Sequence, residues 1–135
     1  MAASLFSGYA LADEVVIKGA GVKFDPTVAF VKAGDTVKFT NMAGHDAASI
    51  DGMIPEGAQG WKSKLGEELS VTLDKEGAYI YKCTPHAGNG MVAAVLVGEA
   101  APANLEAIKA NPEYKGMIKR AVTQLEEALA ARGGE

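Results

Sequence analysis

Cysteine and histidine are almost missing from this chain: 135 residues carry one Cys and two His. One Cys excludes an intrachain disulfide framework and by itself says little about compartment. Two His leave no material for several His-rich sites. No apolar run approaches the ~20 residues that a membrane-spanning helix needs, so no membrane span is expected. A basic excess is also lacking, because 13 Lys and Arg face 17 Asp and Glu for a formal net charge of -4. That balance argues against a general nucleic-acid binder. Neither repeats nor low-complexity tracts are present, and 48% of the residues are apolar, enough for one domain with one sizeable core.

The scarce residues fall into one order. Cys83, His86 and Met91 lie in the stretch Tyr81-Lys82-Cys83-Thr84-Pro85-His86-Ala87-Gly88-Asn89-Gly90-Met91, between two strand-like segments. His45 lies upstream, in the turn Asn41-Met42-Ala43-Gly44-His45. A lone Cys is usually a small buried hydrophobe, and a lone Met is usually core. Together, His…Cys-x₂-His-x₄-Met is the ligand set of a type 1 (blue) copper centre, two His and one Cys in a plane with a long axial Met. Soft sulfur favours Cu(I) and imidazole suits either oxidation state, so such a site changes little on gaining an electron. Pro85 stiffens the loop and should hold Thr84 extended. Gly88 and Gly90 allow positive φ, so that Met91 can return toward the same ion.

Strand signals surround these residues. Glu14 to Lys18, Thr27 to Lys32, Asp35 to Thr40, Leu69 to Leu73, Ala78 to Cys83 and Val92 to Val97 read as short strands, with turns at Ala33-Gly34 and Asp74 to Gly77. Val92 to Val97 is apolar throughout, as expected of a strand buried on both faces. Ile50 to Lys64 reads as a long loop. The tail switches to helical period: Asn104 to Ala110 is one helix, and Asn111 is expected to cap a second, with Pro112 at its first position. Its apolar stripe is Tyr114, Met117, Ile118, Ala121, Leu125, Ala128 and Leu129. The opposite face carries both charge signs, which favours core packing over a membrane or partner face. The domain reading is therefore 1–12 as a signal-peptide remnant or extension, 13–100 as a copper-binding domain, and 101–135 as a helical extension on it. Ala10-Leu11-Ala12 before Asp13 resembles a signal-peptidase site, although the segment lacks a basic start.

The chain resembles the cupredoxins, and among them the pseudoazurins. The likeness is carried by Phe24-Asp25-Pro26, Val31 to Val37, Gly52-Met53-Ile54-Pro55-Glu56-Gly57-Ala58, Lys82-Cys83-Thr84-Pro85-His86, and Ala101-Pro102-Ala103-Asn104-Leu105-Glu106-Ala107. It implies a mainly all-β fold: a Greek-key β-sandwich with two C-terminal α-helices. It also implies a soluble, monomeric, periplasmic carrier of single electrons with one copper at His45, Cys83, His86 and Met91. Implied partners are redox proteins, such as a copper nitrite reductase as acceptor and a cytochrome as upstream donor. His86 would be the electron port, rimmed in part by Pro85, Ala87 and Gly44, with Lys62, Lys64 and Lys82, joined by Lys18 or Lys38, as candidates to steer acidic partners. Two departures stand out: Asp46 replaces the usual Asn, and Ala87 and Asn89 replace larger residues. Asp46 is expected either to accept a hydrogen bond from the Thr84 hydroxyl or to face solvent. A copper enzyme would need a further His-rich site, for which no His remains. A copper chaperone or storage protein, the alternative reading, would favour exposed, exchangeable Met or Cys sites.

Overall fold

The protein is described here by a computed structural model, over residues 12–133. Nearly all of the 1–12 segment lies outside them. Eight strands form two sheets: β1 (Glu14–Ala20), β2 (Lys23–Asp25), β3 (Val28–Val31), β4 (Asp35–Thr40), β5 (Ala48–Ser49), β6 (Leu69–Leu73), β7 (Gly77–Lys82) and β8 (Val92–Val97). One sheet runs β2-β1-β4-β6 and the other β3-β8-β7-β5. Helices α1 (Leu105–Lys109) and α2 (Met117–Gly133) follow. The mainly-β architecture with C-terminal helices is thus present, and both unpredicted strands, β2 and β5, have three residues or fewer.

Period-2 side chains explain the layering. On β7, Tyr79 and Tyr81 point between the sheets with Ile17, Phe24, Val37 and Phe39. Ala78 and Ile80 point the other way, into a second core with Ile108, Ala121, Val122 and Leu125 of the helices. β8 divides likewise, Ala93, Val95 and Val97 inward and Val92, Ala94 and Leu96 toward the helices. All six of its residues are buried, because the tail covers its outer face. Burying both faces removes apolar area from water twice along one strand, at roughly 25 cal/mol per Å². The far end of α2 is fixed where Arg132 lies 4.5 Å over the Phe30 ring and donates to the Glu99 carbonyl at 2.7 Å.

The turns at Ala33-Gly34 and Asp74 to Gly77 each join strands of different sheets, so each is a corner of the sandwich. One expectation is corrected. The second helix begins at Met117 and not at Asn111-Pro112. The Asn111 side chain bonds instead to the Glu113 N–H (2.8 Å) and the Asp51 carbonyl (2.9 Å), an Asx-type turn that competes with helix initiation. Gly116, left-handed at φ 56°, redirects the chain into the helix. Of the predicted stripe, Ala121 and Leu125 are fully buried, while Met117 is exposed. Val122, absent from that stripe, is buried beside them.

Candidate metal centre

Two loops at one end of the sandwich bring the scarce residues together. The first leaves β4 at Asn41, whose left-handed backbone (φ 57°) Asn tolerates, and whose side-chain amide donates to the Gly19 carbonyl at 2.6 Å. A tight turn follows, closed by the His45 N–H on the Met42 carbonyl at 2.8 Å. The Gly66 N–H holds the His45 carbonyl at 2.8 Å. Gly19 lies close against this loop: a Cβ there would come within 2.7 Å of the Asn41 carbonyl oxygen and 3.0 Å of His45 Cδ2. Sequence reasoning passed over Gly19 and Asn41. The Asn before a turn was the available signal; the approach of Gly19, 26 residues before His45, had none.

The second loop is a 3₁₀ turn, Thr84–Asn89, with Pro85 in its first turn. Its extended residue is Cys83 (φ -93°, ψ 116°), and Thr84, expected to be extended, starts the turn instead. The Cys83 N–H donates to the Met91 carbonyl (3.0 Å) and the Met91 N–H to the His86 carbonyl (3.1 Å), which closes the loop on itself. Gly90 ends it in the left-handed region at φ 94°. Gly88 has no such conformation.

Three predicted ligands converge. Cys83 Sγ lies 3.3 Å from His86 Nδ1 and 3.7 Å from His45 Nδ1, and the two Nδ1 atoms are 3.2 Å apart. All three donor atoms fall within 4.8 Å of one another. Cys83 is fully buried and both His are half-buried. Met91 is fully buried in the same apolar cluster as Cys83. Burial pushes the Cys83 thiol up from its ordinary value; the Asp46 and His86 backbone N–H groups pull it down, and the Asp46 carboxylate pushes it up. A metal taken up here must therefore displace a proton. One thiol and two imidazoles, with no carboxylate in the cluster, make a donor set that fits copper: soft sulfur with borderline nitrogen.

Asp46 is 5% exposed, so it does not face solvent. Its Oδ1 accepts from the Thr84 backbone N–H at 2.5 Å, not from the hydroxyl. Of the lysines, Lys62 and Lys82 line one groove with Trp61 and Thr84, which Asp51 and Glu113 also border. Lys18 and Lys38 belong to β1 and β4, in the sheet that lacks the Cys83 strand. Leu65, on the loop that reaches the His45 carbonyl, is 66% exposed.

Known proteins resemble this chain. Residues 11–98 match the copper binding proteins of the plastocyanin/azurin family. The chain is 43% identical over 118 residues to pseudoazurin of Methylorubrum extorquens, which covers 82% of this chain and 79% of that protein. It is 35% identical over 128 residues to pseudoazurin of Paracoccus pantotrophus, covering 91% and 85%. The crystal structure of pseudoazurin from Methylobacterium extorquens AM1 superposes with a TM-score of 0.73 at 41% identity, covering 88% of this chain and 98% of that one.

Proposed function

The chain belongs to the plastocyanin/azurin family of copper-binding proteins and, within it, to the pseudoazurins, and from that premise we propose that it carries single electrons between redox proteins of a bacterial periplasm. The family's members are copper electron carriers and not enzymes, and this chain is one of them. His45, Cys83, His86 and Met91 are the proposed ligands of one type 1 copper. The observation that carries this reading is the convergence of Cys83 Sγ with both His Nδ1 atoms at 3.2 to 3.7 Å. Bound copper supplies a one-electron Cu(I)/Cu(II) couple at that point.

The protein's own residues do the rest. Cys83 and Met91 are held against the sandwich core, and their backbones pair with each other and with His86, so the ligand loop has little freedom to rearrange. His86, half-buried beside exposed Pro85, is the port by which electrons enter and leave. Full burial of Cys83 speaks against a chaperone, which needs its metal exchangeable. Residues 13–100 form the copper domain in this reading, and 101–135 a tail packed on it. Periplasmic placement is supported by Ala10-Leu11-Ala12 before Asp13. A respiratory or denitrification reductase such as nitrite reductase is the proposed acceptor and a cytochrome the proposed donor, with the carrier as a monomer. Adding Cu(II) should develop intense visible absorption that bleaches with a mild reductant and recovers on oxidation. Colourless protein after Cu(II) addition would sink the proposal. Mixing the reduced carrier with purified reductase and nitrite then tests the acceptor.

A further inference from the structure

A small cation-lined cavity lies where three separate elements meet. Lys23 on β2, Thr27 just after it, Asn89 at the end of the 3₁₀ turn, and Arg120 and Gln124 on α2 line a space of about 140 Å³. Arg120 and Gln124 are four residues apart on one helix and so share a face. The Arg120 guanidinium lies over Gly90, where an added Cβ would come within 2.8 Å of its Nη1. No Asp or Glu lines this space. The one ion pair among the described residues is Lys109 with Glu126, which leaves Lys23 and Arg120 without a carboxylate partner there. Two cations thus gather around one cavity on a chain whose net charge is -4. Gln124 adds unused capacity, because its Oε1 is buried without a hydrogen-bond partner among the described residues.

Chemistry narrows the occupant. Two positive side chains and no acid favour an anion over a cation or an apolar group. A guanidinium grips an oxyanion with two parallel N–H bonds, and the Lys23 ammonium, the Thr27 hydroxyl and the Asn89 amide can each donate another. Turned about its terminal bond, the Gln124 amide would present N–H donors in place of its unpartnered oxygen. Size sets the upper limit: drug-sized ligands occupy roughly 300 Å³ or more, so a nucleotide does not fit and a small ion with a few waters does. We propose that this cavity binds a small, doubly charged oxyanion, inorganic phosphate or sulfate, held chiefly by Arg120 and Lys23. Both cations are exposed, so water and salt screen the attraction and binding is weak and salt-sensitive. Through Asn89 the occupant joins α2 to the loop between His86 and Met91. None of the five residues is a proposed copper ligand, so the site is independent of the metal.

Nuclear magnetic resonance on the full-length protein tests the site. Sodium phosphate, added at constant ionic strength against sodium chloride, should shift the backbone amides of Asn89 and Gly90 and the Arg120 side-chain N–H along a saturating curve. Sulfate should compete for the same place. Arg120→Gln should weaken phosphate binding about tenfold or more, since bonds to charged groups are the strong ones. Arg120→Lys keeps the charge but loses the fork, so its affinity should fall between that variant and the parent. Lys23→Gln should weaken binding several-fold. Shifts that grow linearly with phosphate without saturating, or that chloride alone reproduces, overturn the site. Equal phosphate affinity in the parent and Arg120→Gln does the same; should that variant not fold, equal affinity in the parent and Lys23→Gln decides the point.

Discussion

Cys83 is the side chain on which most of the chemistry turns, and replacing it with Ser is correspondingly decisive. A hydroxyl is a hard, poorly ionised ligand, so Cys83→Ser should abolish the strong thiolate-to-copper absorption. A surviving visible band would mean that the metal is held elsewhere. Met91→Gln should keep copper, shift the spectrum and lower the potential, as expected for a weak axial position; complete loss of metal would show a larger role. The close approach of Gly19 to the His45 loop is testable as well. Its added Cβ would meet the Asn41 backbone oxygen at 2.7 Å and the His45 ring at 3.0 Å. Gly19→Ala should therefore cost about 1–3 kcal/mol, the range for overpacking, and weaken copper binding by displacing the ring. Melting of the copper-free form and copper titration would check both, and parent-like values in each would reject the contact as a constraint. The ligands were legible in the sequence because their residue types are so scarce. Gly19 was not, because its partner lies in another element and its own side chain is absent. Asp46 was half-legible: its neighbour His45 marked the place, but burial and a backbone donor are properties of the folded loops.

Corners and strand ends carry much of the remaining specificity, and Asp35 at the start of β4 is the clearest case. Its Oδ1 accepts the Asp13 N–H at 2.9 Å and its Oδ2 the Lys32 N–H at 2.8 Å, tying β1 to the turn that changes sheets. Those two bonds, with Lys32 charge as a smaller aid, hold the carboxyl below its ordinary 3.8 despite burial. A folded value below the unfolded one gives stability that is present above the ordinary value and lost as pH falls through the lowered one. Asp35→Asn should thus melt lower than the parent at pH 7, with the gap narrowing in acid below pH 3.8. A gap that is constant with pH would remove the charge from the explanation. Longer elements were readable from periodicity, since β4, β6, β7 and β8 each alternate or run apolar over five residues or more. β2 and β5 are too short to show a period. The start of α2 was misread for a different reason: Asn111-Pro112 has the chemistry of a helix cap, yet a tertiary partner, the Asp51 carbonyl, claims the Asn side chain.

At the scale of the whole molecule, the two cores on either side of β7 and β8 decide how the protein behaves before metal arrives. Both are built from apolar side chains packed between strands and helices, Cys83 among them, and the loops that carry the converging donors are tied by backbone hydrogen bonds. Copper-free protein should therefore keep β-rich circular dichroism and melt cooperatively, only lower than the copper form, because a ligand that binds the native state stabilises it by mass action. A disordered copper-free chain would instead indicate folding driven by metal. Docking in the proposed role is expected to depend on the surface charge near His86. Ala48 pairs with Lys62 on one side and Lys82 on the other, so the two lysines stand two strand spacings apart, about 10 Å, on one face. Against them, Asp51 and Glu113 border the same groove, and the net charge is -4. Local field, not net charge, governs encounter. If the lysines dominate near His86, electron transfer to an acidic partner should be fast at low salt. It should slow as ionic strength rises from about 0.01 to 0.15 M, where the screening length falls from roughly 30 to 8 Å. Lys82→Glu should slow it further at low salt while leaving the visible spectrum unchanged, since the substitution acts on encounter and not on the ligands. If Asp51 and Glu113 dominate, added salt would speed the same reaction, and Lys82→Glu would match the parent at high salt only. Stopped-flow rates across that range separate the two signs, and a rate that rises with salt leaves apolar contact around His86 as the basis of docking.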